Sequence, residues 1–160
     1  MDKKLVAYFS CTGTTRRVAE NLAKAIDGDL FEIEPSNHYT SDDLNWHNKN
    51  SRTSIEMNDK ASRPEIKEKV NNMDEYDSIF LGFPIWWYTA PRIINTFLES
   101  YDFSGKTIVI FYTSGGSGLG NTISDLKRTC KNNINFVPGN RFSRSTTEDD
   151  LKSWVNSLNL

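Results

Sequence analysis

The stretch that decides the fold reads Leu5-Val6-Ala7-Tyr8-Phe9-Ser10-Cys11-Thr12-Gly13-Thr14-Thr15. Its first five residues are apolar or aromatic without interruption, which is typical of a short strand buried on both faces. Its last six residues form a turn of small, mostly hydroxyl-bearing residues, here named the hydroxyl turn (residues 10–15). Val18, Leu22 and Ala25 then recur at helical spacing. Strand, turn and helix in this order predict an α/β fold.

The same alternation of apolar runs and helical stripes continues along the chain. Further strands are predicted at residues 30–33, 77–83 and 106–112, and a weaker strand at residues 135–137, with a continuation to residue 142 left open. Further helices are predicted at residues 64–73, 91–98, 119–130 and 147–158. Several strands are continuously apolar, which favours a parallel sheet covered by helices on both faces. We therefore expect one doubly wound α/β domain over residues 1–160, with a five-stranded parallel sheet.

Residues 34–63 are polar and show no clear pattern. A loop of about thirty residues is unusual inside a compact domain unless it is functional or contains a helix. Ser41, followed by two aspartates, predicts a short capped helix that carries Leu44 and Trp46. Tyr39 or Trp46 would then be placed to act as a lid over a site, although a plain structural cover is the interpretation we favour.

Composition narrows the function classes. The 160 residues include 19 Lys and Arg against 21 Asp and Glu, a net charge of −2, which argues against a dedicated nucleic-acid binder. Cys11 and Cys130 are the two cysteines, too few for a disulfide framework and without metal-ligand spacing. The longest apolar region, residues 79–88, is broken by Gly82 and Pro84. We expect a cytoplasmic protein without a membrane partner or a bound metal.

The hydroxyl turn is predicted to bind phosphate. A helix N-terminus offers unpaired N–H groups and partial positive charge, and the hydroxyl groups add neutral donors. The absence of lysine suits a phosphate ester that is held rather than transferred, although a simple capping cluster would use the same residue types. The candidate ligands are Ser10, Cys11, Thr12, Gly13, Thr14 and Thr15.

Two more loops should lie beside the hydroxyl turn, because the carboxyl ends of parallel strands share one edge of the sheet. The first, the aromatic loop, contributes Pro84, Ile85, Trp86, Trp87 and Tyr88. We expect one or two of its three large rings to pack beneath the helix at Pro91 and at least one to face a planar ligand.

The second, the glycine loop, contributes Ser114, Gly115, Gly116, Ser117 and Gly118. Its exposed N–H groups suit the polar edge of a ring, although a plain flexible loop has the same composition. Together, the three loops predict a cofactor that carries a phosphate and a planar ring.

Cys11 and Arg17 allow a competing interpretation. Their Cys-x5-Arg spacing is that of the thiolate and arginine of cysteine-dependent phosphatases, and a helix N-terminus lowers a thiol pKa. The low-molecular-weight phosphatases place this loop after the first strand of a similar sheet. However, Val18 follows the arginine where a hydroxyl residue is expected, and the chain has no Asp-Pro pair to supply the general acid.

These motifs resemble those of flavodoxins. The hydroxyl turn matches the family's Ser/Thr-x-Thr-Gly-x-Thr loop, and residues 82–91 are similar to the flavin-flanking loop of a flavodoxin-like subgroup. The resemblance covers almost the whole chain and implies the strand order 2-1-3-4-5, for which flavodoxin is a standard example. It also implies flavin mononucleotide (FMN) as the cofactor, with its phosphate in the hydroxyl turn and its ring between the aromatic and glycine loops.

Three departures from electron-carrier flavodoxins bear on function. Residues 84–90 lack the glycine that permits a peptide flip beside the flavin, the glycine loop has no aromatic residue, and the chain is not strongly acidic.

We expect an FMN-binding electron-transfer protein with a redox partner protein. The alternative is an FMN-dependent NAD(P)H:quinone-type reductase, acting on NAD(P)H and a quinone-like molecule. No residue is predicted to act as a catalytic acid, base or nucleophile in either case.

Overall fold

A computed structural model describes residues 3–129 and 134–160. Cys130, predicted at the end of an apolar helical stripe, lies outside the described residues. The strands are β1 (Lys3–Tyr8), β2 (Asp29–Glu32), β3 (Tyr76–Pro84), β4 (Thr107–Thr113), β5 (Asn135–Val137) and β6 (Arg141–Phe142). The helices are α1 (Thr14–Ile26), α2 (Arg52–Asn58), α3 (Arg92–Glu99), α4 (Thr122–Thr129) and α5 (Glu148–Ser157).

The strands form a parallel sheet in the order β2-β1-β3-β4-β5, which confirms the order implied by the resemblance. Ala7 of β1 pairs with Phe31 on one side and Leu81 on the other. The weak strand predicted at residues 135–137 is β5, and its optional continuation to residue 142 is a separate strand, β6; both pair with β4. Gly139 lies between them, where a Cβ would collide with the carbonyl oxygen of Ile110.

Apolar layers cover both faces of the sheet, which is why the successive β1 residues from Leu5 to Tyr8 are all buried. Leu5 and Ala7 face a layer shared with α3 and α4, whereas Val6 and Tyr8 face a layer shared with α1 and α5. Alternate side chains of a strand point to opposite faces, so a strand between two layers is apolar throughout. The predicted capping box of the last helix is confirmed, since Thr147 and Asp150 bond each other's backbone N–H at 3.0 Å.

Two helices predicted around residues 41–73 are wrong. Residues 41–44 form turns, and the helix of this region is instead α2, whose N-cap Ser51 accepts a hydrogen bond from the Ser54 N–H at 3.3 Å.

Pro64 does not begin a helix. Ile66 forms an antiparallel bridge with Pro35, and the Lys67 N–H donates to the Glu34 carbonyl at 2.8 Å. The Lys67 N–H therefore serves a long-range pairing instead of a helical hydrogen bond. The helical element of this region is a 3-10 turn at Met73–Glu75.

Candidate functional site

A cavity of about 720 Å³ opens at the carboxyl edge of the sheet, where the hydroxyl turn, the aromatic loop and the glycine loop meet. All of the predicted site residues line it except Gly13, Gly116 and Gly118. The structure therefore brings the three predicted loops together around one space. The cavity is also lined by Trp46, a candidate lid from the sequence, and by three residues that sequence reasoning missed: Leu44, Thr53 and Thr113.

The hydroxyl turn leads directly into the N-terminus of α1. Gly13 is the N-cap residue in the left-handed conformation, with φ 93°, and no side chain among residues 3–129 and 134–160 caps the helix. Its own N–H donates to the Ser10 hydroxyl oxygen at 3.1 Å. The first turn of α1 therefore has N–H groups that no side chain in the described part of the chain satisfies, which is the arrangement that binds anions.

Thr15 has a different part from the other hydroxyl residues of the turn. Its side chain is buried, and its Oγ1 lies 2.7 Å from Oγ1 of Thr113 at the end of β4. This contact links the hydroxyl turn to the strand that precedes the glycine loop. Thr15 is therefore best described as a structural tie at the cavity wall.

Arg144 also contacts the hydroxyl turn, from the segment between β6 and α5. Its Nε donates to Thr14 Oγ1 at 3.0 Å, and its Nη2 donates to the Thr12 carbonyl at 2.9 Å. The sequence gives no local signal for this contact, because the partners are about 130 residues apart.

The aromatic loop contains a two-residue hairpin turn. Trp86 and Thr89 exchange two backbone hydrogen bonds, of 2.9 and 3.0 Å, across Trp87 and Tyr88. Both central residues have positive φ, 48° for Trp87 and 64° for Tyr88. Such turns normally contain Asn and Gly, which adopt positive φ readily. Two bulky aromatic residues in this conformation cost free energy of folding.

The three rings of the aromatic loop have different surroundings. Trp86 is half-buried and meets the rings of Phe9 and Tyr39 edge-on, with ring centroids 5.6 Å apart in each pair. Trp87 and Tyr88 are exposed at 42% and 68%. Trp87 and Tyr88 are held outward by the turn, so the prediction that one or two rings pack beneath the helix after Pro91 is left with Trp86, which packs against the core layer that includes Ile93 and Ile94.

The glycine loop leaves open space beside its backbone. A Cβ added to Gly115, Gly116 or Gly118 would meet nothing within 4 Å. The Ser114 hydroxyl donates to the Ser117 carbonyl at 2.6 Å and accepts from the Gly116 N–H at 3.3 Å. The loop is thus shaped by its own serine, and a planar group has room to approach the backbone closely.

A polar network supports the cavity wall behind Trp86. The Tyr39 hydroxyl donates to Glu56 Oε1 at 2.6 Å, and Arg52 Nε donates to Glu56 Oε2 at 3.0 Å. The Arg52 guanidinium also lies 3.8 Å from the centroid of the Tyr39 ring. Burial, together with the bond to Glu56, raises the pKa of the Tyr39 hydroxyl far above its usual value. Tyr39 is therefore a neutral hydrogen-bond donor that helps to fix the position of Trp86.

Cys11 does not have the environment of an activated nucleophile. Burial raises the pKa of its thiol to about 12; Arg52 lowers this pKa and Glu56 raises it further. Arg17, the proposed anion-binding partner, is exposed on α1. A phosphatase needs the thiolate at neutral pH, so this geometry counts against the phosphatase alternative.

Within residues 3–129 and 134–160, no three or more His, Cys, Asp or Glu side chains are grouped so as to hold a metal ion. No helix in these ranges has the length and apolar character needed to cross a membrane.

Comparisons with known proteins agree with this architecture. Over residues 3–158, the chain matches a family model described as flavodoxin. It is similar to the crystal structure of a candidate flavoprotein from Bacteroides eggerthii, with 49% identity, a TM-score of 0.90 and coverage of 100% of this chain and 99% of the other. A candidate flavoprotein from Bacteroides uniformis gives 46% identity, a TM-score of 0.84 and coverage of 97% and 98%.

A more distant structure shows the fold alone. It is a flavoprotein from Lactobacillus acidophilus in complex with FMN, with 22% identity, a TM-score of 0.73 and coverage of 97% of this chain and 99% of the other. No curated protein matches the chain. Because the family match spans nearly the whole sequence, the chain belongs to the flavodoxin family.

Proposed function

We propose that this protein binds FMN non-covalently in the cavity and serves as an electron-transfer protein. The observation that carries the proposal is the cavity itself, which joins an uncapped helix N-terminus to a wall of aromatic side chains. The first feature suits a phosphate monoester, and the second suits a flat heteroaromatic ring. The FMN complex of the Lactobacillus acidophilus flavoprotein, which has the same fold, supports this choice of cofactor.

The residues present fit FMN in their chemistry. Ser10, Thr12 and Thr14 would hold the phosphate with the N–H groups of α1, Trp86 and its neighbours would flank the ring, and the glycine loop would meet the ring's polar edge. Bound FMN supplies the redox chemistry, while the chain binds, orients and shields it. The buried tie between Thr15 and Thr113 keeps two of these loops at a fixed distance.

A second candidate function rests on the exposed side of the cavity. The glycine loop has no aromatic residue to cover a second ring face, while Leu44 and Trp46 add an apolar wall. A planar substrate would then have access, as required for an FMN-dependent reductase that takes hydride from NAD(P)H and passes electrons to a quinone-like acceptor. In the carrier, the exposed Trp87 and Tyr88 would instead meet a redox partner protein. Neither function calls for a nucleic acid or a membrane, and a cytoplasmic location stays a prediction.

Cofactor binding is tested by titrating the FMN-free protein with FMN. We expect saturable one-to-one binding, with a weaker affinity in Thr12→Ala and an unchanged one in Ser153→Ala, a hydroxyl removed from the exposed part of α5. A protein that does not bind FMN would overturn the proposal.

Reduction of the FMN-loaded protein under anaerobic conditions separates the two functions. Bleaching of the flavin absorbance by NADH or NADPH alone supports the reductase. Bleaching that needs a separate NADPH-dependent flavoprotein reductase supports the carrier.

A further inference from the structure

Arg144 is held so that its guanidinium lies against the hydroxyl turn. It follows β6 in a turn closed by the Thr146 N–H, which donates to the Ser143 carbonyl at 3.1 Å, and by the Ser143 N–H, which donates to Thr146 Oγ1 at 3.0 Å. The capping box of α5 begins at the next residue, Thr147. Both neighbouring elements therefore fix the backbone from which Arg144 reaches across.

The bond to Thr14 determines how that hydroxyl can be used. Arg144 Nε donates to Thr14 Oγ1 at 3.0 Å, so the threonine oxygen is an acceptor on this side. A hydroxyl that accepts one hydrogen bond still has its own proton to donate. Arg144 thus leaves Thr14 as a donor towards an anion at the N-terminus of α1.

The bond to Thr12 has a complementary effect. A backbone carbonyl carries partial negative charge and would repel a phosphate if it faced the anion. Here the Thr12 carbonyl accepts from Arg144 Nη2 at 2.9 Å. The following residue, Gly13, has φ 93°, and a Cβ at this position would lie 3.6 Å from Arg144 Nη2. The arginine therefore packs against the one residue of the turn that has no side chain.

The guanidinium also brings a positive charge to a turn that has no cationic side chain of its own. Arginine has five N–H donors, and the two bonds described occupy two of them. Because Arg144 is exposed, its attraction for an anion should weaken as salt is added. Arg16, on the first turn of α1, differs in that it pairs with Glu32 at 3.6 Å.

We propose that Arg144 is the positioning residue of the phosphate site: it sets the hydrogen-bond polarity of the hydroxyl turn and adds the charge that favours the phosphate monoester of FMN. This inference rests on the proposed function, because it concerns the same cavity. It assigns a site role to a segment outside the three loops.

The test compares FMN with riboflavin, which has the same ring but no phosphate. Dissociation constants are measured at low and high salt for the wild type, Arg144→Gln and Arg144→Lys. Lys24→Gln is the control, since it removes one exposed positive charge at the opposite end of α1. Urea unfolding of each variant shows whether the fold is retained.

We expect Arg144→Gln to weaken FMN binding about tenfold, to change riboflavin binding less than about twofold, and to reduce the salt dependence of FMN binding. Arg144→Lys should be intermediate, because it restores the charge without the planar fork. Lys24→Gln should behave like the wild type.

A purely structural role for Arg144 would weaken both ligands equally or leave the salt dependence unchanged, and either result would overturn the inference. FMN binding by Arg144→Gln at wild-type strength would overturn it while leaving the proposed function intact. A wild type that binds neither ligand would overturn the proposed function and this inference with it.

Discussion

The Tyr88 carbonyl accepts a hydrogen bond of 2.9 Å from the Asn121 N–H, which ties the tip of the aromatic turn to the segment that leads into α4. A second bond strengthens the tie, since the Thr89 hydroxyl donates to Asp125 Oδ2 at 2.7 Å. The exposed rings at the cavity are therefore held by contacts outside their own loop. Gly120 makes this approach possible, because a Cβ there would lie 2.5 Å from the Tyr88 oxygen.

Gly120→Ala should destabilise the protein by about 2–4 kcal/mol, because a left-handed residue acquires a Cβ that also collides with the Tyr88 backbone. The midpoint of urea unfolding measures the effect. Gly118→Ala is the matched control: a Cβ at that glycine meets nothing within 4 Å, and its φ is not in the left-handed region. We expect the control to lie within about 0.5 kcal/mol of the wild type. Equal unfolding midpoints for the two variants would contradict the close contact between Gly120 and the Tyr88 backbone.

The positive φ angles of Trp87 and Tyr88 predict a conflict between stability and binding. The double variant Trp87→Asn/Tyr88→Gly places the preferred residues in the same turn and should stabilise the FMN-free protein by about 1–2 kcal/mol. It should also weaken FMN binding, since two aromatic faces are lost. Thermal unfolding and an FMN titration measure the two effects.

The variant Trp87→Ala/Tyr88→Ala separates the effect of the rings from the effect of the backbone strain, because it removes the rings but keeps residues with a Cβ at positive φ. It should weaken FMN binding without stabilising the protein. If the Asn-Gly variant were no more stable than the Ala-Ala variant, the strain would be absent.

The hydrogen bond between Tyr39 and Glu56 predicts that two substitutions of one residue will differ. Tyr39→Phe leaves a Glu56 oxygen without its donor in a side chain that is 11% exposed, which should cost about 1–2 kcal/mol of unfolding free energy. The ring against Trp86 remains, so FMN affinity should change less than about twofold.

Tyr39→Ala should lower both stability and FMN affinity, because Trp86 loses the edge contact that positions it. Urea unfolding and FMN titration of both variants provide the measurements. Equal FMN affinities for Phe and Ala at this position would show that Tyr39 does not support the site.

The three site loops could be predicted because each follows directly from local sequence. Continuous apolar runs mark β1, β3 and β4, and the unusual residues come immediately after them. In a parallel sheet, the ends of neighbouring strands meet, so the grouping of the hydroxyl turn, the aromatic loop and the glycine loop required no knowledge of distant contacts.

The sequence suggests Trp46 as a candidate lid, but the full cavity wall formed by Leu44, Trp46 and Thr53 could not be found in this way. Helix α2 has seven mostly polar residues and depends on distant partners, including Arg92, whose Nη2 donates to the Met57 carbonyl at 2.8 Å. Short helices receive little stability from propensity alone. The helix predicted at Pro64 is wrong because of another distant contact: the Lys67 N–H donates to the Glu34 carbonyl instead of forming a helical turn. The contact of Arg144 with Thr14 is also purely tertiary.

The half-buried thiol of Cys11 predicts an unusual pH dependence. Its pKa is raised from 9.0 to about 12 in the folded protein, so the stability it contributes is present below pH 9 and is lost as the pH rises from about 9 to about 12. In a Cys130→Ser background, where Cys11 is the single thiol, alkylation by iodoacetamide at pH 8.5 should be about 100-fold or more slower in the native protein than in urea, because the thiolate is the reactive form. The native rate should still be rising at pH 11. A native alkylation rate that reaches its plateau near pH 7 would contradict the raised thiol pKa. If the protein also hydrolysed p-nitrophenyl phosphate and Cys11→Ser did not, the phosphatase interpretation would be restored.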